Sequence, residues 1–352
     1  MHEFDHNLLQ CPITKEHLTL ISQNDIAALV EGHRFEQAFI NESKTFLYPV
    51  VQEIIQLLPY YAIPIVRSDT AHQAMHFDKD RVFRYYNEIQ YEQVAENTIY
   101  ADARKFLDFR AVSRDYIQNS LRKARAYIKP AGTYFLDIAS GPIGLPAYIG
   151  LSEGYEYRVC VDLSFNALLE AKNNLKQQKG IFICGDISNI PISTNRCDVA
   201  VSHHTLYHLP KAQQARAVHE LYRVTKVGGR VAIIYSWFYH SWLMNISLFP
   251  LQLYRILRHL AGKLYVRLFP QKARLYFYPH SPRWFRNLGY GGQLNIYCWR
   301  SLNKQFLEVF IHDNALGRKI LAQVERLEKK YPKRMGILGD YPIITIDKVK
   351  EK

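Results

Sequence analysis

The sequence predicts an α/β protein whose mostly parallel sheet is covered by helices. Apolar, strand-like runs alternate with helical segments from residue 130 onward, which is the pattern of parallel strands joined by helical crossovers. Several of these runs end in an acidic residue or a glycine turn. The chain has 352 residues, 48% of them hydrophobic and 22% charged, and it lacks the apolar run of about 18 residues that a bilayer span needs.

Seven strand-like runs follow one another along the chain. They are TYFLDIA (133–139), YRVCVDL (157–163), GIFICGD (180–186), CDVAVSHH (197–204), GGRVAIIYSW (228–237), LNIYCW (294–299) and YPIITIDK (341–348). GLPAYIGLS opens a helix, and SFNALLEAKNNLKQQ is a helix with Ser164 as its predicted N-cap. KAQQARAVHELYRVTK is a helix predicted to end at Gly228 and Gly229. A basic helix is predicted around 303–331.

Three regions differ in composition. Residues 1–66 contain short β-type runs broken by prolines and predict a small β-rich module. Residues 67–129 have a helical spacing of apolar residues and predict an extension or cap. Residues 130–348 form the main α/β domain, with an aromatic-rich insertion at about 237–280 that is predicted to be a helical lid.

Candidate binding residues lie at the predicted carboxyl ends of the strands, where open parallel sheets bind ligands. A carboxylate there accepts hydrogen bonds from a ribose diol or an adenine amino group. A glycine there lets backbone amides approach a ligand closely. The candidates are Asp137, Ala139, Ser140, Gly141, Asp162, Leu163, Asp186, Ile187, Ser202 and His203.

The runs FLDIASGPIG, VCVDLS, CGDISNIPIS, CDVAVSHHTLYHL and ELYRVTKVGGRVAII resemble the class I S-adenosylmethionine-dependent methyltransferases, in particular the ubiquinone and menaquinone biosynthesis C-methyltransferases. The resemblance covers about residues 130–236 and implies a Rossmann-like sheet of seven strands, with S-adenosyl-L-methionine as cofactor. It implies that Asp137 and Gly141 form the first-strand turn, Asp162 binds ribose, Asp186 and Ile187 contact adenine, and Ser202 and His203 face the methionine part. Ala139 and Ile143 stand where the family carries glycine.

Methyl transfer from a sulfonium needs mainly alignment, together with a base where a proton must leave. His203, His204 and His208 are the candidate catalytic bases, because a histidine pKa lies near neutrality. His208 also resembles a structural position of the family. Tyr85, Tyr86 and Tyr91 are candidates either for capping the cofactor pocket or for core packing.

The N-terminal runs LLQCPITKEHLTLI and FLYPVVQEIIQLL resemble the small zinc-ribbon-like module that activates RNA and protein methyltransferases. Metal-binding versions begin Cys-Pro-x-Cys, whereas this chain has Thr14 in place of the second cysteine. No cysteine lies between positions 12 and 159 to complete a tetrahedral site. We therefore expect the module to be metal-free, and no metal site is predicted elsewhere.

Charge is concentrated in one part of the chain. Residues 251–334 contain 17 Lys and Arg against 4 Asp and Glu, and the remainder is neutral. Such a segment is typical of a solvated surface or of an anionic partner, RNA or a membrane surface. The helix LQLYRILRHLAGKLYVRLF has Leu253, Leu257, Leu260 and Leu264 on one side and Arg255, Arg258 and His259 on the other. It either packs on the sheet as a lid or lies on an anionic membrane.

Three functions fit these observations. The first is a methyltransferase acting on a small-molecule or lipid-linked acceptor. The second is a tRNA or rRNA methyltransferase, although the N-P-P-Y signature of many base N-methyltransferases is missing. The third is a degenerate methyltransferase fold that serves as a binding partner. The start of the sequence lacks the pattern of a secretory signal, so we expect a cytoplasmic protein, with peripheral membrane association left open.

Overall fold

A twelve-stranded sheet organises the described part of the chain in the computed structural model. The structure describes residues 3–30, 35–65, 107–176, 178–249, 251–268 and 276–350. The strands are β1 (Leu18–Ser22), β2 (Gln37–Asn41), β3 (Phe46–Val51), β4 (Ile54–Gln56), β5 (Ile63–Pro64), β6 (Gly132–Ile138), β7 (Tyr155–Asp162), β8 (Lys179–Cys184), β9 (Cys197–His203), β10 (Thr225–Ile234), β11 (Gln293–Arg300) and β12 (Tyr341–Asp347).

The centre of the sheet confirms the predicted fold class. Strands β8, β7, β6, β9 and β10 are parallel neighbours in that order. Beyond β10 the sheet continues through β12 and β11, and β12 is antiparallel to both of its neighbours. The strand order reverses between β6 and β9. This reversal places a binding crevice at the carboxyl ends of these two strands.

Helices cover this sheet. They are α1 (Gln23–Leu29), α2 (Arg114–Lys123), α3 (Pro146–Ile149), α4 (Phe165–Asn174), α5 (Lys211–Val224), α6 (Trp242–Ser247), α7 (Leu251–Leu268), α8 (Pro282–Asn287), α9 (Lys304–Phe310), α10 (Ala315–Lys330) and α11 (Pro332–Leu338). No helix of the described residues has the length and apolar character needed to cross a membrane.

Both faces of the central strands are buried, which explains their nearly unbroken apolar sequences. In β6, Leu136 and Ile138 belong to one apolar cluster, and Phe135 belongs to the cluster on the other face. Asp137 shares the face of Phe135, because successive side chains of a strand point to opposite sides. The sheet therefore carries one carboxylate of its first central strand into an otherwise apolar layer.

Two predicted element boundaries are wrong. Gly228 and Gly229 do not end a helix: α5 stops at Val224, and both glycines lie within β10, where the pairing with β9 is interrupted between Thr225 and Arg230. Gly229 has no room for a side chain, since an added Cβ would lie 2.8 Å from the carbonyl oxygen of Asp198. The basic helix predicted around 303–331 is divided into α9 and α10.

The N-terminal module adds strands to the main sheet instead of standing apart from it. β4 pairs in parallel with β8, the edge strand of the central sheet, with Ile54 opposite Phe182. β3 pairs antiparallel with β4, and β2 and β1 follow in turn. The module therefore covers an edge that would otherwise expose unpaired backbone groups.

Two turns of this module face each other through polar contacts. The Sγ atom of Cys11 accepts a hydrogen bond from the backbone N–H of Thr14 and lies 3.1 Å from the hydroxyl of Tyr48. Asn41 donates to Thr14, and its side-chain oxygen accepts from the backbone N–H of Thr45. Among the described residues, no group of three His, Cys, Asp or Glu side chains is placed to hold a metal ion. Side-chain hydrogen bonds thus tie the two turns together.

The predicted cap and lid regions are described only in part. Of the helical extension at 67–129, residues 107–129 are described and contain α2, whereas Tyr85, Tyr86 and Tyr91 lie outside the described residues. In the insertion, α6 and α7 are described and residues 250 and 269–275 are not. The described part of each region contains helix, and the roles of cap and lid stay predictions.

Candidate functional site at the carboxyl edge of the sheet

The turn after β6 has a left-handed backbone at alternate positions. Ala139, Gly141 and Ile143 have φ angles of 53°, 58° and 51°. L-residues with a side chain rarely adopt this conformation, which costs them roughly 1–2 kcal/mol. Ala139 and Ile143, which stand where the family carries glycine, therefore lie where the turn requires the left-handed backbone that glycine adopts easily. The chain keeps the shape of the turn with an alanine and an isoleucine.

Gly141 leaves open space at the centre of this turn. A Cβ built on Gly141 would meet nothing within 4 Å. Ile143, by contrast, is 3% exposed and packs in an apolar cluster with Leu168 of α4. Burial of its side chain offsets the strain of its backbone. The turn is thus anchored at Ile143 and open at Gly141, as a ligand cradle requires.

Asp162 links the end of β7 to that turn. Its Oδ2 accepts from the backbone N–H of Gly141 at 2.9 Å, and its Oδ1 accepts from the backbone N–H of Ser164 at 2.8 Å. Burial raises the pKa of Asp162 to about 6, although these two N–H donors act in the opposite direction. Each oxygen still has a lone pair to offer to a ribose diol. Ser164 caps α4 as predicted, since its side chain accepts from the N–H of Ala167.

Asp137 forms a buried ion pair that the sequence analysis did not foresee. Its Oδ2 lies 2.5 Å from a terminal nitrogen of Arg158 on β7, and the two side chains are almost inaccessible to solvent. Arg158 also donates to the carbonyl oxygens of Tyr148 and Ile149 and to the hydroxyl of Ser152. Arg158 therefore ties β6, β7 and α3 together beneath the turn. The predicted cofactor contact of Asp137 stays a prediction.

The third strand end places its candidates in a loop with internal hydrogen bonds. The carboxylate of Asp186 accepts from the backbone N–H and the hydroxyl of Ser188. Ile187 is 4% exposed and belongs to the main apolar cluster.

The remaining two candidates lie after β7 and β6. Leu163 is partly buried beside α4, and the hydroxyl of Ser140 donates weakly to the carbonyl oxygen of Gly141. Contacts with adenine or ribose stay predictions for all four candidates, Asp186, Ile187, Leu163 and Ser140.

The end of β9 presents polar atoms that have no hydrogen-bond partner among the described residues. The hydroxyl of Ser202 and both ring nitrogens of His203 are buried without a hydrogen bond. The His203 ring packs edge-on against Tyr148, with 4.9 Å between ring centroids. Burial lowers the pKa of His203 to about 4, opposed in part by the charge of Asp137. His203 is therefore neutral at pH 7, a weak base with an unused donor and an unused acceptor.

The other two histidines differ from His203. His204 has a positive φ of 54°, and its Nδ1 is buried without a partner. Burial lowers its pKa well below the usual range, and the nearby His203 acts in the same direction. His208 lies 2.9 Å through Nδ1 from the carbonyl oxygen of Tyr276 and packs between aromatic rings, as a structural residue does. A catalytic role for any of the three stays a prediction.

The strand ends lie side by side at the edge of the sheet where open parallel sheets bind ligands. β6 and β9 are hydrogen-bonded neighbours, with Ile138 opposite Ser202, so the glycine turn and the orphaned polar atoms of β9 are adjacent. Tyr148 of α3 contacts His203 and was missed by the sequence analysis, because nothing in GLPAYIGLS shows which residue turns inward. An open glycine, carboxylates that can accept from a diol, and unpaired donors fit S-adenosyl-L-methionine.

Residues 136–233 match the sequence model of a family described as "Methyltransferase domain". This segment is similar to methyltransferase domains. The match runs from β6 into β10 and so includes the strand ends described above. It supports the coarse prediction of a methyltransferase, for which S-adenosyl-L-methionine is the expected cofactor.

Solved structures of methyltransferases are distantly similar. A chain in the Haloferax volcanii complex that contains the Trm112 methyltransferase activator is 14% identical, with 67% of this chain and 92% of that chain covered and a TM-score of 0.41. Geranyl diphosphate C-methyltransferase from Streptomyces coelicolor A3(2) is 13% identical, with 78% and 100% covered and a TM-score of 0.45. Phosphoethanolamine N-methyltransferase 2 from Haemonchus contortus is 16% identical, with 82% and 62% covered and a TM-score of 0.41.

No curated protein matches the chain. Identities and TM-scores this low say nothing about the acceptor of the methyltransferase domain. The acceptor has to be inferred from the residues of this chain.

Proposed function

We propose that this protein transfers the methyl group of S-adenosyl-L-methionine to a small-molecule or lipid-linked acceptor, as the predicted kinship with quinone-biosynthesis C-methyltransferases suggests. The crevice that joins Gly141 and Asp162 to the unpaired atoms of Ser202 and His203 carries the proposal. Buried polar atoms without partners are rare in proteins and indicate a ligand that completes their hydrogen bonds.

The roles of the residues follow from their positions. Asp162 accepts from the ribose diol, and the open turn at Gly141 brings backbone amides close to the cofactor. Ser202 and His203 hydrogen-bond the methionine part. The bound cofactor supplies an electrophilic methyl group on a sulfonium. The chain contributes alignment and the exclusion of water, which account for most of the acceleration in such transfers.

An exposed apolar surface favours a lipid-linked acceptor. Leu257, Leu260 and Leu264 of α7 have 56%, 54% and 60% of their surface exposed, which favours docking of this side of the helix on a membrane over packing on the sheet as a lid. Trp242, Ile246 and Phe249 in and after α6 are exposed as well. We call these six residues the apolar surface. Large exposed apolar surfaces mark interaction sites.

The charges around the apolar surface suit an anionic membrane. Residues 251–268 contain no Asp or Glu, and the exposed Arg258 and Arg267 flank the leucines. An amphipathic helix with this composition binds the headgroup region of a bilayer. The apolar surface follows β10 closely in sequence, and the chain leaves β10 at the carboxyl edge of the sheet. Docking would bring a lipid-linked acceptor to the cofactor.

Membrane binding is tested with vesicles of phosphatidylcholine, with and without phosphatidylglycerol. We expect the protein to sediment with the anionic vesicles, and Leu257→Asp combined with Leu264→Asp to abolish this. Leu316→Asp is the matched control, since Leu316 is 65% exposed on α10. Equal sedimentation of the double variant, or none of the wild type, contradicts membrane docking.

The N-terminal module is proposed to be an activator-like unit fused to the methyltransferase domain. Its β4 completes the edge of the sheet at β8, so the module stabilises the domain directly. Zinc measured by mass spectrometry at one equivalent per chain would overturn the proposal that it is metal-free.

Calorimetric titration with S-adenosyl-L-homocysteine tests the enzyme itself. We expect binding by the wild type and weaker binding by Asp162→Ala, which removes the acceptor of the ribose diol. Absence of binding by the wild type would favour a degenerate fold. Incubation with labelled cofactor and fractionated extract identifies the acceptor: label in lipid or small molecules supports the proposal, and label in RNA overturns it.

A further inference from the structure

A buried, unpaired arginine lies at the same edge of the sheet, beyond the cofactor crevice. Arg300 is the last residue of β11 and is 1% exposed. Its Nε and one terminal nitrogen are buried without any hydrogen bond. The structure gives Arg300 no ion pair within the described residues. A guanidinium keeps its positive charge in proteins, so Arg300 cannot relieve this burial by losing a proton.

Aromatic rings hold the guanidinium without satisfying it. The central carbon of the Arg300 guanidinium lies 4.4 Å from the ring centroid of Tyr341 and 5.2 Å from that of Trp299. Such cation–π contacts are favourable, but they leave the donors on Nε and on one terminal nitrogen without an acceptor among the described residues. Burying a charge without a hydrogen-bonded partner is costly, so this geometry is suited to receiving an anion.

Other unpaired polar atoms surround the same place. The Nε1 of Trp299 and the Nδ1 of His204 are buried without a partner. The His204 ring lies 5.2 Å from the Trp299 ring and 5.6 Å from the Tyr341 ring, measured between centroids. Orphaned donors from β11 and from the loop after β9 thus converge on the aromatic side of Arg300. We call Arg300, Trp299, His204 and Tyr341 the arginine cluster.

The arginine cluster lies on the acceptor side of the crevice. The cofactor site is built on β6 and β7, whereas β10 and β12 separate β9 from β11. Neighbouring strands are about 4.8 Å apart, so the end of β11 is roughly 19 Å from the end of β6 along the sheet. The methionine part of the cofactor reaches β9 at Ser202 and His203. The arginine cluster begins at the next residue, His204, and extends toward β11, with Arg300 still within electrostatic reach of Tyr148, which contacts His203.

We propose that the arginine cluster binds an anionic group, a carboxylate or a phosphate, of the methyl acceptor. This inference rests on the proposed function and narrows its substrate class. Arg300 donates two parallel N–H bonds to the anion in the geometry that guanidinium groups favour. The aromatic rings exclude water, and Trp299 with His204 completes the contacts. An acceptor anchored there directs its nucleophile toward the cofactor at β9.

Anion binding is measured as the thermal shift of the wild type and of Arg300→Met, each saturated with S-adenosyl-L-homocysteine. Inorganic phosphate and acetate are the probes, and sodium chloride at equal ionic strength is the reference. We expect phosphate or acetate to stabilise the wild type beyond chloride and to bind Arg300→Met at least tenfold more weakly. Response to acetate alone identifies a carboxylate site, and response to phosphate alone a phosphate site; either supports the proposal.

Two further measurements separate this proposal from others. Both proteins should bind S-adenosyl-L-homocysteine within about twofold, because the proposal gives Arg300 to the acceptor. A loss of tenfold or more in Arg300→Met would assign Arg300 to the cofactor and overturn the proposal, whereas a wild type that fails to bind sinks the proposed function instead. Arg300→Lys keeps the positive charge but loses the two parallel N–H donors of the guanidinium. It should therefore reduce the thermal shift that the anion produces, and it replaces Arg300→Met in the experiment if that variant does not fold. Equal anion responses in wild type and variants, or no response in the wild type, overturn the arginine cluster as an anion site.

Discussion

The two non-glycine residues of the cofactor turn should respond in opposite directions to replacement by glycine. Ala139 and Ile143 have almost the same φ, 53° and 51°. Glycine removes the left-handed strain of roughly 1–2 kcal/mol at either position. It also adds freedom to the unfolded chain, which costs roughly 0.4–1 kcal/mol. The positions differ in what the side chain contributes.

At position 139 only a methyl group is lost, so we expect Ala139→Gly to raise the free energy of unfolding by up to about 1.5 kcal/mol. At position 143 a 3%-exposed isoleucine is lost. Deleting such a side chain costs roughly 2–5 kcal/mol, more than the strain it relieves. With the cost in the unfolded chain included, Ile143→Gly should therefore destabilise the protein by about 0.5–5 kcal/mol.

Urea unfolding measures both effects as shifts of the midpoint at constant slope. Ala139→Val is the matched control, because a β-branched residue is least tolerated at positive φ, and it should destabilise. Titration with S-adenosyl-L-homocysteine should give equal or tighter binding to Ala139→Gly. If Ala139→Gly lowers the free energy of unfolding, the turn is not left-handed in solution and the reasoning about the glycine positions is wrong.

Three other predictions concern separate parts of the site. Arg158→Met should lower the free energy of unfolding by about 3–5 kcal/mol, because it leaves Asp137 buried and unpaired. Lys179→Met, at the exposed pair with Glu156, is the control and should lower it by less than about 1 kcal/mol. Similar losses in the two variants would count against a special contribution of the buried pair. The affinity for S-adenosyl-L-homocysteine, measured by calorimetry, should fall about tenfold from pH 7 to pH 5, because the Asp162 carboxyl group, with a pKa of about 6, becomes protonated and loses acceptor capacity. Asp162→Asn should show no such fall. Asn41→Ala should destabilise the N-terminal module by about 1–3 kcal/mol, because it removes the hydrogen bonds that Asn41 accepts. Faster hydrogen exchange of the β2 and β3 amides would show this destabilisation. An unchanged exchange rate would mean that the polar contacts between the two turns are dispensable.

The parts of the fold that depend on local patterns were predictable from the sequence. Apolar runs ending in Asp162 or in the Ser202-His203 pair are strands that the structure confirms, and Ser164 caps α4 as its position indicates. These features follow from spacing and from residues next to each other in the chain. The carboxyl edge of the sheet then follows from the alternation of strands and helices.

The parts that depend on distant contacts were not predictable. Arg158 in YRVCVDL reads as a polar interruption of a strand, and only the register with β6 brings it to Asp137. Arg300 reads as one more cation of a basic segment, yet it is buried, because the end of β11 meets the start of β12. A charge count along the chain does not distinguish a solvated arginine from one enclosed by aromatic rings.

The pairing of β4 with β8 makes the order of synthesis matter. Ile54 faces Phe182, and the about 130 residues between them take roughly 6–26 s to translate at 5–20 residues per second. Throughout that interval the strand of the N-terminal module has emerged and its neighbour has not. An unpaired strand edge is a template for wrong pairing between chains. A nascent chain of this protein is therefore exposed to wrong pairing at β4 until β8, the third of the central strands, has emerged.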